Sequence, residues 1–262
     1  MLQELFNLPA NLPVVASEHG ADVDNFIIYI HWLMAALFIG WSSYYIYVLW
    51  RFNGKKNKKA DYHGARTHVS SYLEVAVAIV EVVLLTAFAI PMWAKVVEEV
   101  PKPEESTQIR VMAQQFAWNF MHPGADDKFG KQAFDLVSEE NKFGRDLEDE
   151  NGKDDIFTLN EIHLPVDKKV VFHTSSLDVI HSFKVIAMRI CQDTIPGMSI
   201  PVWCEPQKVG RYQINCAQLC GNGHTAMTGG FLNVDSQEDY DAWLAQNTPA
   251  DGEEGAGALS FE

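Results

Sequence analysis

Two thiols, an imidazole and a thioether fall within one twelve-residue stretch near the C-terminal end: Cys216, Cys220, His224 and Met227, at offsets 0, 4, 8 and 11. Thiolate and thioether are soft ligands, and together with imidazole they suit copper better than calcium or magnesium. Zinc also takes Cys and His, but structural zinc sites rarely recruit Met. Gly221 and Gly223 allow the backbone to turn tightly between the ligands. A surface loop closed by a local disulfide is the plain alternative. A copper loop needs a further ligand from elsewhere, and His181, in Asp178-Val-Ile-His181-Ser-Phe, is the candidate. A His that opens an apolar strand is more often a buried hydrogen-bonding residue, but the copper loop downstream reverses those odds.

The elements that must hold this loop begin with two apolar runs. Residues 1–24 are an acidic segment without Lys or Arg. Phe26 to Trp50 then carries no charge beyond His31 over 25 residues, enough to cross a hydrocarbon core of ~30 Å. Six basic residues against Asp61 alone lie between Arg51 and His68, which assigns the loop 51–69 to the cytoplasm. Ser70 to Ala94 forms a second span broken only by Glu74 and Glu81, and Pro91, Pro101 and Pro103 are expected to end it. The hairpin 25–94 puts the N-terminus and everything after the linker 95–108 outside. Glu74 sits a turn inside the cytoplasmic end and reads either as a proton-entry group or as an interfacial hydrogen-bonding residue. Glu81, two turns deeper on the same side, reads as a structural hydrogen-bonding residue, and that side is expected to face another subunit. No cleavable signal peptide and no covalent haem motif is expected.

After the linker, Ile109 to Phe120 alternates apolar and polar residues and predicts one strand. Its aromatic cluster Phe116-Ala-Trp118 reads as core, with a surface electron-entry role as the alternative. Residues 122–155 hold eleven acids and five bases and predict a solvated insertion. From Ile156 short strands return, at 156–164, 169–173, 181–189, 202–205, 212–216 and 231–234, separated by turn signals. That pattern over 109–247 predicts an all-β Greek-key sandwich. Ser236 caps a short helix, and 248–262 forms an acidic tail. The net charge of −15 excludes nucleic acid as a partner and favours a basic protein.

Two spans followed by a sandwich with Asp-Val-Ile-His-Ser-Phe and Cys-x-x-x-Cys-Gly-x-x-His-x-x-Met resemble subunit II of cytochrome c oxidase, of the haem-copper oxygen reductases. The resemblance covers nearly the whole chain. It implies a cupredoxin-like domain behind a transmembrane hairpin, in a bacterial-type inner membrane, holding the dinuclear copper centre CuA. Carried over by position, Cys216 and Cys220 bridge the coppers, and His181 and His224 bind one each. Met227 and the carbonyl of Gln218 complete the two sites. The implied partners are oxidase subunit I and other oxidase subunits, with cytochrome c or a haem c domain as the donor. Three departures matter. Gln218 stands where the family has Glu, so the interfacial magnesium served by that carboxylate is not securely carried over, although Asp193 still matches an acid at the subunit I interface. The entry motif Gln-Trp-Tyr-Trp reads Gln115-Phe116-Ala117-Trp118, leaving entry to Phe116 or Trp118. Glu74 matches the acid at a proton-channel mouth, whereas Glu81 has no counterpart. Cys191 and Cys204 fall outside the ligand set and are a candidate disulfide. A membrane-anchored copper chaperone or copper-binding module is the alternative function.

Overall fold

A computed structural model describes residues 12–59, 62–64, 67–124 and 126–249. Residues 1–11 of the acidic N-terminal segment, Asp61 and Arg66 of the basic loop, and the acidic tail from residue 250 lie outside the described residues. The chain divides into two compact units: Asp22–Lys95 belongs to one, Pro13–Ala21 and the chain from Val96 to the other.

The first unit is built on two helices, α1 (Gly20–Arg51) and α2 (Val69–Glu98), of 32 and 30 residues, with mean hydropathies of 1.6 and 2.4 in their most apolar windows. Both are long and apolar enough to cross a membrane. Almost nothing on them is buried within the chain: Phe38, Ile39, Tyr44 and Ile46 of α1 and Val75, Ile79 and Val82 of α2 are all exposed. A helix that is apolar all round needs apolar surroundings, and here the chain itself does not supply them. α1 and α2 meet at Tyr29 and Phe88, whose rings pack edge-on with centroids 6.0 Å apart. Pro91 does not end α2 as expected. A π-helical turn at Leu85–Ala89 precedes it, and the helix runs on to Glu98. An extra residue in the turn re-routes the carbonyls that the proline ring would otherwise strike.

The second unit is a sandwich of two five-stranded sheets. Its strands are β1 (Thr107–Gln114), β2 (Ala117–His122), β3 (Ile156–Leu159), β4 (Glu161–Pro165), β5 (Val170–Ser176), β6 (His181–Val185), β7 (Ile190–Thr194), β8 (Ile200–Cys204), β9 (Gly210–Cys216) and β10 (Gly230–Asp235). One sheet has the order β3-β2-β1-β5-β8, the other β4-β10-β9-β6-β7. The predicted strand 109–120 is instead a hairpin that turns at Gln115-Phe116, with Gln114 opposite Ala117. The predicted strand 156–164 is likewise two strands in different sheets. Asn160, at φ 57°, makes the corner: its Oδ1 accepts the Trp118 N–H at 2.9 Å and its carbonyl accepts the Phe231 N–H. Asn tolerates the left-handed conformation better than most residues, which is why the chain switches sheets there.

Phe183 locks the two sheets together. It lies on β6 and packs against Trp118, Phe120 and Phe172 of the facing sheet, with centroids 5.5, 6.3 and 5.3 Å away. Aromatic pairs at these separations add to the area they bury. The segment before α1 also belongs to this unit. Ala16 N–H donates to Ala187 O at 2.8 Å, Gln207 N–H to Ala16 O at 2.7 Å, and the buried Ser17 hydroxyl to Met188 O at 2.7 Å.

The acidic insertion is not simply solvated. Arg145 stacks on Phe157 at 3.9 Å and Arg110 on Phe129 at 4.3 Å. Asp155 is fully buried at its base and accepts the Gly130 N–H at 3.2 Å. Burial raises the Asp155 carboxyl to about 7, against the bond from Gly130, with Asp154 adding to the rise and Arg145 and Arg110 opposing it. The folded chain therefore keeps a proton that the unfolded chain releases from about pH 4 upward. This group's stabilising contribution is complete below the ordinary carboxylate value and is lost as pH rises through about 7. In thermal unfolding of the purified chain, the wild type is thus expected to lose stability relative to Asp155→Asn as pH rises through that window. A difference that does not change with pH would contradict this.

Candidate metal centre

β6 and β9 lie side by side, with Phe183 opposite Cys216. Paired residues point to the same face, and so do residues two apart in a strand. His181 and Cys216 therefore share the inward face with Phe183. His181 is fully buried and Cys216 nearly so. Ala217 N–H donates to Ser182 O at 3.0 Å and carries the pairing into the loop. The chain then folds back, with Cys220 buried and a short 3-10 turn at His224–Thr228 that buries Met227.

The donor atoms converge. His181 Nδ1 lies 3.1 Å from Met227 Sδ and 4.0 Å from Cys216 Sγ. Cys220 Sγ lies 3.4 Å from His224 Nδ1 and 3.4 Å from Met227 Sδ. Cys216 Sγ is 3.0 Å from the carbonyl oxygen of Gln218. Among the described residues, His181, Cys216 and Cys220 are the group of His, Cys, Asp or Glu placed to hold a metal, with ligand atoms within 4.8 Å of one another. Burial, and then the neighbouring Cys216 thiol, push the Cys220 thiol up to about 11. The Cys220 thiol holds its proton until a cation displaces it, and a soft cation does so best. The donor set thus fits copper: two thiols, two imidazoles, a thioether and a carbonyl.

Groups outside this set aim it. Asp178 Oδ1 lies 2.8 Å from His181 Nε2, so that nitrogen carries the proton and Nδ1 presents its lone pair to the thiols. Asp178 Oδ2 accepts the backbone N–H of Gln115 at 2.7 Å, and the Gln115 side chain donates to Cys220 O at 2.6 Å. The β1–β2 turn therefore braces the histidine strand and the cysteine loop together. Phe116 lies against the loop backbone. A Cβ on Gly223 would come within 2.4 Å of its ring, and one on Gly221 within 2.7 Å of Gln115 Nε2. Asp178 had a sequence signal, an acid three residues before the histidine. Gln115 had none, because its contact depends on the hairpin turn.

The other expected residues are distributed differently. Trp118 is wholly buried, donates from Nε1 to Met227 O at 3.0 Å, and meets the His181 ring edge-on at 6.2 Å. It is thus a floor beneath the loop and offers no surface for a donor. Phe116 is only half-buried, and Leu219, between the cysteines, is 78% exposed. Asp193 lies exposed on the edge strand β7, and the Gln218 side chain is exposed. Glu74, exposed near the start of α2, belongs to the other unit. Cys191 and Cys204 are both free thiols: Cys191 is exposed, whereas Cys204 is enclosed in β8, where burial raises it to about 12. The candidate disulfide is therefore not formed.

The family described as "Cytochrome C oxidase subunit II, periplasmic domain" matches residues 107–231. The alternative cytochrome c oxidase subunit 2 of Bradyrhizobium diazoefficiens is 31% identical over 238 residues, covering 90% of this chain and 84% of that protein. Cytochrome c oxidase subunit 2 of Cereibacter sphaeroides is 29% identical over 252 residues, covering 91% and 78%. Among solved structures, the periplasmic domain of subunit II of cytochrome oxidase (CoxB) of Bradyrhizobium japonicum is similar at 26% identity and a TM-score of 0.41, covering 56% of this chain and 95% of that one.

Replacing Gln115 by Ala removes the donor to Cys220 O but leaves the backbone bond to Asp178. Loss of such a support typically costs 10–100-fold in metal affinity, while a single hydrogen bond adds only about 1 kcal/mol to folding. Copper-loaded Gln115→Ala is expected to release metal to a chelator roughly tenfold faster, with little change in apo-protein unfolding. Equal release rates would remove Gln115 from the metal centre.

Proposed function

The chain belongs to the cytochrome c oxidase subunit II family, and from that footing we propose that it is the electron-entry subunit of a respiratory terminal oxidase, taking electrons from cytochrome c or an attached haem c donor and passing them to haem in subunit I. The observation that carries this reading is the convergence of two thiols, two imidazoles, a thioether and the Gln218 carbonyl at one buried point. When bound there, a dinuclear copper centre supplies one-electron chemistry shared over two metals.

This chain's residues do the rest. Cys216, Cys220, His181, His224, Met227 and the Gln218 carbonyl would hold the copper. Asp178 keeps the His181 ring in one tautomer, and Trp118 and Phe116 pack against the loop. A site held by strands on one side and a braced turn on the other changes little when its charge changes, so an electron arrives and leaves with little rearrangement. Phe116 and the exposed Leu219 offer apolar surface beside the loop, and donor contact is assigned to Phe116 rather than to buried Trp118. Asp193 and the Gln218 side chain are assigned to the subunit I face. Gln218 has no carboxylate to give a magnesium ion there, so no magnesium is included.

The domain assignment is two spans with a basic cytoplasmic loop and an extracytoplasmic copper domain in a bacterial-type inner membrane. The loop charge supports it, and so does the packing of Pro13–Ala21 within the β unit. A copper chaperone is disfavoured because transfer needs ligands that a partner can reach, and His181 and Met227 are enclosed.

Electron paramagnetic resonance of the full-length chain loaded with copper in detergent is expected to show one electron shared by two equivalent copper nuclei. The pattern of a single copper nucleus would overturn the assignment. Glu74 is assigned to proton entry. In the assembled oxidase, Glu74→Gln is expected to slow steady-state oxygen consumption several-fold while reduction of the copper centre by its donor keeps its rate. Unchanged turnover would return Glu74 to a structural role.

A further inference from the structure

The short segment before α1 is bound to the sandwich through nearly every residue. Ala16 lies in the hydrophobic core, and Ser17 and His19 beside it are buried. Ala16 is held on both flanks: its N–H donates to Ala187 O at 2.8 Å, and its carbonyl accepts the Gln207 N–H at 2.7 Å. Ser17 Oγ donates to Met188 O at 2.7 Å, across 171 positions of sequence. Glu18 N–H donates to Glu205 O at 3.0 Å, and the Arg189 guanidinium returns to Pro13 O at 2.7 Å. Ala187 and Met188 follow β6 of one sheet, whereas Glu205 and Gln207 follow β8 of the other. Residues 13–19 therefore tie the two sheets to each other.

The sheet they grip through Ala187 and Met188 is the one that carries the metal ligands, and the grip falls directly after β6. That strand has only five residues, and its first is His181. At ~3.3 Å per residue, His181 lies about 13 Å from Val185 at the other end. Its pairing with β9, which brings Cys216 beside it, spans just three residues. So short a strand depends on what holds its two ends. Asp178 fixes the start. The far end is the 3-10 turn Ile186–Met188, closed by Arg189 at φ 54°. A non-glycine residue stays in that left-handed region only when its surroundings hold it. Here the Arg189 side chain bonds both Ile186 O and Pro13 O. The Met188 carbonyl is buried, so losing Ser17 would leave it without a partner and away from water.

We infer that residues 13–19 form a strap that sets the far end of β6 and thereby holds His181 in place for the metal. Ser17 and Ala16 are then positioning residues of the copper centre, acting through the turn 186–189. This deepens the copper reading of the site and rests on it.

The test uses the full chain in detergent with three separate changes. Ser17→Ala removes the buried hydroxyl and leaves the backbone bonds of the strap. Ala16→Asp puts a carboxylate into the core. Trp243→Ala, in the C-terminal helix Gln237–Asn247, loosens a different contact, the stack on His163 at 4.6 Å. In the copper-free chain, Ser17→Ala is expected to raise amide hydrogen exchange over residues 181–189 roughly tenfold, Ala16→Asp more, and Trp243→Ala not at all. In the copper-loaded chain, Ser17→Ala is expected to release metal to a chelator roughly tenfold faster, with Trp243→Ala matching the wild type. Unchanged exchange in Ser17→Ala, unchanged metal release despite faster exchange, or an equal effect of Trp243→Ala would overturn the strap. A wild-type chain without the two-copper resonance would instead overturn the electron-entry reading, and the exchange comparison on the copper-free chain would still decide whether the strap sets β6.

Discussion

The register of β6 against β9 is the constraint on which the metal centre depends. Phe183 stands opposite Cys216, and Phe183 is also the ring at the centre of the inter-sheet aromatic cluster. A slip of one residue would turn Phe183 toward solvent and move His181 to the wrong face. The packing that holds the sandwich together is thus the same packing that sets histidine beside cysteine. Burying a large aromatic side chain stabilises by about 1.5–3 kcal/mol, and that preference is imposed on the ligands without any metal present. The fold brings the donors together through ordinary core packing, and the metal then meets a geometry already made.

Preassembly leaves polar groups in an apolar place, and each needs a partner. The His181 ring has Asp178 on one nitrogen, the Cys220 carbonyl has Gln115, and the Met227 carbonyl has the Trp118 indole. These three bonds come from different parts of the chain: the segment before β6, the β1–β2 turn and β2. The loop therefore cannot shift toward or away from the histidine without breaking one of them. Glycine matters here for a steric reason. Phe116 lies so close to Gly223 that any side chain there would displace the ring. The flexible-looking Cys-Gly-x-Gly-His run is held by what packs on it.

How much of this was legible beforehand follows from which signals are local. Cys216, Cys220, His224 and Met227 share one loop, so spacing alone revealed them, and the need of that loop for a further ligand pointed to His181, which opens an apolar strand. Apolar runs of more than twenty residues revealed both long apolar helices, though not that α2 passes Pro91, because a π-turn leaves no mark in composition. The strand pattern was read correctly in kind but not in its breaks. Alternation continues through Gln115-Phe116 and through Asn160, and both turns are set by tertiary contacts. That is also why a surface role for Trp118 stayed open beside its core reading: with one strand from Ile109 to Phe120 it has no floor to form. Once the chain turns at Gln115-Phe116, β2 enters the core, all six of its residues are buried, and Trp118 comes to lie under Met227.

Trp203 shows how a sandwich can answer for what lies at its edge. Its indole N–H donates to Val96 O at 2.8 Å, and its ring faces His19 at 6.2 Å. Val96 belongs to the last turn of α2, and His19 immediately precedes α1. Both stubs of chain belonging to the β unit therefore return to one tryptophan on β8, the edge strand of its sheet. An edge strand with free backbone groups is a liability unless something covers it. Here the Ser17–Pro206 bridge and the Gln207 N–H to Ala16 O bond occupy the chain just beyond β8. Tryptophan suits this position because it combines a large apolar face with one hydrogen-bond donor. The same contacts hold the chain on either side of the two long helices, at His19 and at Val96, to one strand of the β unit.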